Sequence, residues 1–115
     1  MRSTSKFLLV PIIIFGFGCS SSKKATAKAP PKMTYVTNLE TVVAANCAPC
    51  HFPDKGGKKA PLNSFAAVSK NIDDMIARIS LKPGERGFMP DRKPRLSDST
   101  INLFKQWRAD GMLEK

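Results

Sequence analysis

Histidine, cysteine and acid are all scarce in this chain, and each shortage excludes something. One histidine, His51, stands among 115 residues. The cysteines are Cys19, Cys47 and Cys50, and the first belongs to a leader rather than to the globular part. A structural zinc site takes four protein ligands, so this stock falls short unless Asp54 joins it. Residues 1–34 contain no acidic side chain at all. Long hydrophobic runs are missing too. The apolar stretch from Phe7 to Phe17 has 11 residues, against the ~17 to 25 needed to cross a bilayer.

What is present fits one small domain. Hydrophobic residues make up 42% of the chain and charged residues 24%. The first 34 residues are poor in globular character, which leaves residues 35–115 to build a core. A domain of that size is marginal by itself and commonly draws stability from a disulfide, a metal or a cofactor. A large enzyme with a deep cleft is excluded on the same ground. The net charge of +10 is unevenly placed. Arg2, Lys6, Lys23, Lys24, Lys28 and Lys32 precede residue 35, whereas residues 35–115 carry thirteen basic and nine acidic groups, a net +4. A nucleic-acid-binding domain concentrates its basic excess in the folded part, among aromatics. Nucleic acid is therefore not an expected partner.

Arg2 and Lys6 lead into the apolar run, and small residues close it. That order describes a secretory signal; a buried helix of a cytosolic protein would show a polar face. The stretch Phe17-Gly18-Cys19-Ser20 resembles the lipobox of bacterial lipoproteins, with Gly16 where leucine usually stands. The resemblance implies a signal peptide at 1–18, cleavage before Cys19, and a lipidated Cys19 that holds the protein on a membrane. Ser20 offers no aspartate-type retention cue, which favours the outer membrane. Residues 19–34, dominated by Ser, Lys, Ala and Pro, have no apolar periodicity and read as a flexible tether. Fully extended at ~3.1 Å per residue, Ser20 to Thr34 would reach roughly 45 Å.

From Tyr35 onward the periodicity is helical. Thr37–Asn46 reads as a helix capped by Thr37 or Asn38, with Val36, Leu39 and Val43 on one stripe; the paired valines leave a strand as runner-up. Phe52–Pro61 is a loop around Gly56-Gly57, and Asn63 opens a short helical piece to Val68. Asn71–Leu81 is the clearest helix: Asn71 caps it, Asp73 and Asp74 suit its positive end, and Ile72, Met75, Ile76 and Ile79 share a face. Residues 82–96 are irregular. A last helix runs from Ser97 through Arg108, presents Ile101, Phe104 and Trp107, and stops at Gly111. Three or four helices with long loops and no convincing strand make an all-α domain.

Cys47-Ala48-Pro49-Cys50-His51 is a C-x-x-C-H sequence, the attachment pattern of c-type haem. Two thiols at that spacing can each add to one vinyl group of the porphyrin, and the adjacent imidazole then lies beneath the iron. A thioredoxin-like dithiol needs a βαβ setting, which is absent here. A plain Cys47–Cys50 disulfide in an exported protein is the bland alternative. Over residues 35–115, the order of helix, attachment motif, loop-rich middle, Met-Pro segment and aromatic-bearing last helix resembles the small class I monohaem cytochromes c.

That resemblance implies three to four helices around one covalent haem c, with Cys47 and Cys50 bonded to the ring and His51 as an iron ligand. It implies Met89, in Gly87-Phe88-Met89-Pro90, as the second axial ligand. A thioether is soft, so it favours reduced iron and raises the potential relative to a second histidine; Pro90 stiffens the loop. Met33 falls in the tether, Met75 on the apolar face of a helix, and Met112 beyond the last one. Leu39, Val43, Ile72, Ile76, Ile79, Phe104 and Trp107 are expected to pack around the ring, leaving the unloaded domain largely unfolded or molten. Tyr35 and Leu39 are expected against Phe104 or Trp107. Lys55, Lys58, Lys59, Arg78 and Arg92 are the basic side chains available to the haem carboxylates.

Iron with both axial positions filled has no vacant site for substrate. The expected role is therefore outer-sphere transfer of single electrons between redox partner proteins, membrane oxidoreductases among them. The domain's +4, less about two for the haem carboxylates, permits an acidic partner patch without requiring one. The full expectation is a monomeric, lipid-tethered electron carrier on the periplasmic side of a bacterial cell, not an enzyme. Two alternatives stand beside it. One is a haem enzyme or gas sensor with a labile Met89, for which no second histidine is available as an acid–base group. The other is a haem subunit fixed in a larger redox complex.

Overall fold

The computed structural model describes residues 28–115; the signal peptide, Cys19 and the tether up to residue 27 lie outside the described residues. Within them the regular structure is helical, as expected: α1 is Glu40–Cys47, α2 is Phe65–Ser80 and α3 is Asp98–Ala109. A π-helical turn, Tyr35–Leu39, leads into α1, and a 3-10 turn, Pro53–Lys55, follows it. No strand forms among the described residues. A single parallel bridge pairs Thr34 with Leu113.

The π-turn changes which residues face inward. Thr34 opens it, its hydroxyl accepting from Thr37 N–H at 3.4 Å while Asn38 Oδ1 accepts from Thr34 N–H at 2.9 Å. Capping thus falls to Thr34, with Asn38 reaching back, rather than to Thr37 or Asn38 as N-caps. The wider i→i+5 turn, closed by Glu40 N–H on the Tyr35 carbonyl, rotates Val36 outward to 46% exposure. Tyr35 turns in instead and joins Leu39 and Val43 on the buried stripe.

Residues 63–81, read from sequence as two helical pieces, form one helix. Ser64 caps it by accepting from Ala67 N–H at 3.2 Å, and neither Gly nor Pro interrupts the run before Pro83. Val68, Ile72, Met75 and Ile79 make one continuous buried face. Asn71 sits inside the helix, not at its start, and donates its amide to the Ala67 carbonyl at 2.8 Å. Asp73 and Asp74 are therefore mid-helix and work as ion-pair partners. Asp73 meets Arg108 of α3 at 2.6 Å and Asp74 meets Arg78 at 2.7 Å.

Ser97 caps α3 through Thr100 N–H at 3.1 Å, and Asp98 lies in its first turn, where the helix dipole favours acid. Gly111, at φ 98°, ends the helix as the sequence implied. Trp107 and Phe104 are fully buried beneath α2 and the π-turn; truncating either to alanine costs on the order of 3–5 kcal/mol in such a setting. Tyr35 meets Trp107 at 6.0 Å between ring centres, and Phe65 packs edge-on to both at 5.8 and 6.2 Å. The expected Tyr35–Trp107 contact is thus present, with Phe65 as an unforeseen third ring.

The two ends of the described chain meet beside this junction. Tyr35 N–H and Trp107 Nε1–H both donate to the Leu113 carbonyl at 2.8 Å, and Val36 N–H donates to Glu114 at 3.1 Å. Met33 N–H donates to the Asp110 carboxylate at 2.7 Å. Met33 and Thr34, counted with the tether in the sequence, are thereby tied into the body.

Candidate functional site

α1 stops at Cys47 for a local reason. Proline disfavours helical backbone in the residue before it, and Ala48, preceding Pro49, is extended at ψ 155°. The chain then turns tightly: His51 N–H donates to the Cys47 carbonyl at 3.1 Å and Phe52 N–H to Pro49 at 3.0 Å. The following loop folds back on the turn, with Lys59 N–H on the Cys50 carbonyl at 3.0 Å and Leu62 N–H on that of His51 at 2.8 Å. Gly57 makes this return possible. A Cβ there would stand 2.1 Å from the Pro49 carbonyl oxygen and 2.5 Å from that of Cys50, distances no side chain tolerates. Gly56 serves differently, adopting φ 80° with open space around it.

A cavity of about 390 Å³ opens beside this turn. It brings together all four residues singled out from sequence within the described region: Cys47, Cys50 and His51 from the motif, and Met89 from the loop after α2. Leu62, Met75, Ile79, Leu96 and Phe104 supply apolar lining. Of the seven residues expected around a ring, Ile79 and Phe104 line this space. Leu39, Val43 and Trp107 are instead buried in the core, and Leu62 and Leu96 take places that the sequence reading left unassigned. Their signal, an isolated leucine in a loop, has no periodicity to reveal it.

His51 is half-buried, and its ring Nδ1 lies 2.7 Å from the Ala60 carbonyl oxygen. That contact requires a proton on Nδ1 and leaves the lone pair on Nε2, the usual outer-shell arrangement of a metal-binding histidine. Both motif cysteines are free thiols, Cys50 exposed and Cys47 half-buried. Burial pushes the Cys47 thiol up to about 11, with the Lys93 ammonium opposing the shift in part. Cys47 is consequently neutral at physiological pH. Redox-active dithiols instead have a lowered thiol pKa. Among the described residues no group of three or more His, Cys, Asp and Glu side chains converges on a point where a metal ion could be held, which removes the zinc alternative. Asp54, its candidate fourth ligand, accepts from the Asn63 amide at 3.3 Å.

Met89 is half-buried, and its N–H donates to the Arg78 carbonyl at 3.3 Å, joining the loop to α2. Pro90 is buried beside it. Further along, the Lys93 ammonium reaches the carbonyls of Ala45, Asn46 and Ala48 at the end of α1. Of the basic candidates, Lys59 and Arg78 line the cavity. Lys55 lies over the Phe52 ring at 5.3 Å, Arg92 pairs with Asp91 at 3.7 Å, and Lys58 is exposed.

Comparison with protein-family models, with curated proteins and with solved structures gives no match. Among the described residues no helix is long and apolar enough to cross a membrane.

Proposed function

We propose that this chain is a monohaem c-type cytochrome, similar to the small class I family, that carries single electrons between redox partner proteins. One observation supports this most strongly. Two thiols, an imidazole with Nε2 free and a thioether, drawn from two separate segments, line one cavity with apolar side chains. The donor set fits haem iron: imidazole and thioether are ligands it takes in electron-transfer sites. Haem bound there supplies reversible one-electron exchange between ferric and ferrous iron.

Cys47 and Cys50 would provide the thioether sulfurs, His51 one axial nitrogen and Met89 the opposite axial sulfur. The Ala60 carbonyl orients the His51 ring and raises the basicity of Nε2. The Arg78 carbonyl and Pro90 constrain the Met89 backbone. Leu62, Ile79, Leu96 and Phe104 exclude water from the ligand set, a lever on the potential in haem proteins. With a lipidated Cys19 and the Ser/Lys/Ala/Pro tether, the carrier works as a monomer on the periplasmic side, close to membrane oxidoreductases. The tether raises local concentration without fixing orientation.

The deciding experiment is an absorption spectrum, oxidised and reduced, of the full chain produced with cytochrome-maturation machinery. We expect colour that survives acid–acetone extraction, an added macrocycle mass, and a far-red sulfur-to-ferric-iron band. Colourless extracted protein overturns the reading. Covalent haem that binds carbon monoxide rapidly when reduced replaces the carrier with an enzyme or sensor.

A further inference from the structure

An exposed lysine seldom holds one position, because fixing its long side chain forfeits rotamer freedom. Lys93 is held. Its ammonium donates to the carbonyl oxygens of Ala45 at 3.1 Å, Asn46 at 3.3 Å and Ala48 at 3.0 Å. An ammonium has three N–H donors, and three acceptors face it. They flank Cys47, whose own carbonyl is taken by His51 N–H. Carbonyls at a helix C-terminus lack intrahelical donors and carry the negative end of the dipole, so a cation there satisfies both needs.

The segment Lys93 belongs to has little else to hold it. Before it, Met89 N–H reaches the Arg78 carbonyl at 3.3 Å; within it, Lys93 N–H closes a turn on Pro90 at 3.4 Å. Asp91 and Arg92 are exposed and pair at 3.7 Å, and Arg92 occupies left-handed backbone at φ 58°. Such a conformation in arginine depends on neighbouring anchors. The ammonium is the anchor that spans from this loop to the attachment end of α1.

We propose that Lys93 is the positioning residue for Met89, fastening its loop to the end of α1 that bears Cys47 and so keeping the thioether on the haem iron. This rests on the haem reading given above. Loss of the ammonium raises the population of open loop, and a competing ligand then takes the axial position more readily.

The test uses the full haem-loaded chain and titrates the ferric protein with imidazole, following the far-red band. For Lys93→Met, which keeps the stem and removes the donors, the imidazole concentration that displaces the band falls about tenfold, as for a lost charge-assisted hydrogen-bond set. Lys93→Arg restores most of the resistance. Lys105→Met, on the exposed surface of α3, leaves it unchanged. If Lys93→Met fails to accumulate, Lys93→Gln serves for the same comparison. A lowered melting temperature with an unmoved titration makes Lys93 merely structural and overturns the proposal. Wild-type protein without covalent haem, or without the band, overturns the haem–Met89 reading itself. An intact wild-type band with an indifferent Lys93 variant defeats only the role of Lys93.

Discussion

The Nδ1 nitrogen of His51 is bound to the carbonyl of Ala60, nine residues later, at 2.7 Å. A carbonyl only accepts, so the imidazole proton is fixed on Nδ1. In the reduced, haem-loaded protein, proton NMR should find a slowly exchanging Nδ1–H close to Ala60. A ring protonated at Nε2 instead would exclude His51, in this orientation, as an iron ligand.

Met89→Ala should abolish the far-red charge-transfer band and lower the reduction potential, since a sulfur that favours ferrous iron is lost. Haem attachment through Cys47 and Cys50 should be unaffected. Electronic spectra and a spectroelectrochemical titration read both effects, and an unchanged spectrum would rule out ligation by Met89.

The adjacent glycines of the loop after α1 should respond differently to alanine. At Gly57 a Cβ meets the Pro49 and Cys50 carbonyls, and Gly57→Ala should cost about 3 kcal/mol or more by displacing the turn. At Gly56 only the left-handed backbone objects, at about 1–2 kcal/mol. Denaturant melts of the two loaded variants give the comparison; equal losses would mean that the close approach does not matter.

Removing the haem should remove cooperative folding. The cavity of about 390 Å³ lies against Ile79 and Phe104, and a hollow of that size forfeits packing that a domain this small cannot replace. Circular dichroism of protein made without maturation machinery should show a broad, non-cooperative melt. A sharp native-like transition would refute this.

The tie between Met33 and Asp110 should persist into mild acid. The Met33 N–H, and secondarily the Gln106 amide, hold the Asp110 carboxyl below the usual carboxylate range. A group depressed on folding keeps its contribution above its unfolded pKa and loses it as pH falls through the folded one. Amide exchange at Met33 should stay slow down to about pH 4 and accelerate on further acidification. In Asp110→Ala it should be fast throughout.

What the sequence disclosed and what it hid divide by range. The attachment motif, the Gly111 stop and the apolar faces of α2 and α3 are written in neighbouring residues, and all could be read there. Asn71 misled because a good capping residue lies inside a helix that Ser64 had already capped six residues upstream. Val36 misled because one π-turn shifts the phase of a stripe that a 3.6-residue period assigns otherwise. Ala60, Gly57 and Lys93 carry no local mark. Each acts through a backbone carbonyl brought near only when the chain closes on itself, and carbonyls look alike in every sequence.

One carbonyl near the carboxyl end has an outsized effect. The Leu113 oxygen receives both the indole of Trp107 and the backbone of Tyr35, so it latches the tail to the aromatic junction. Clipping the chain at Met112 would leave a sealed indole donor with nothing to bond and would unfasten the entry into α1. A three-residue trim by an exopeptidase would thus weaken the molecule from a side remote from its chemistry.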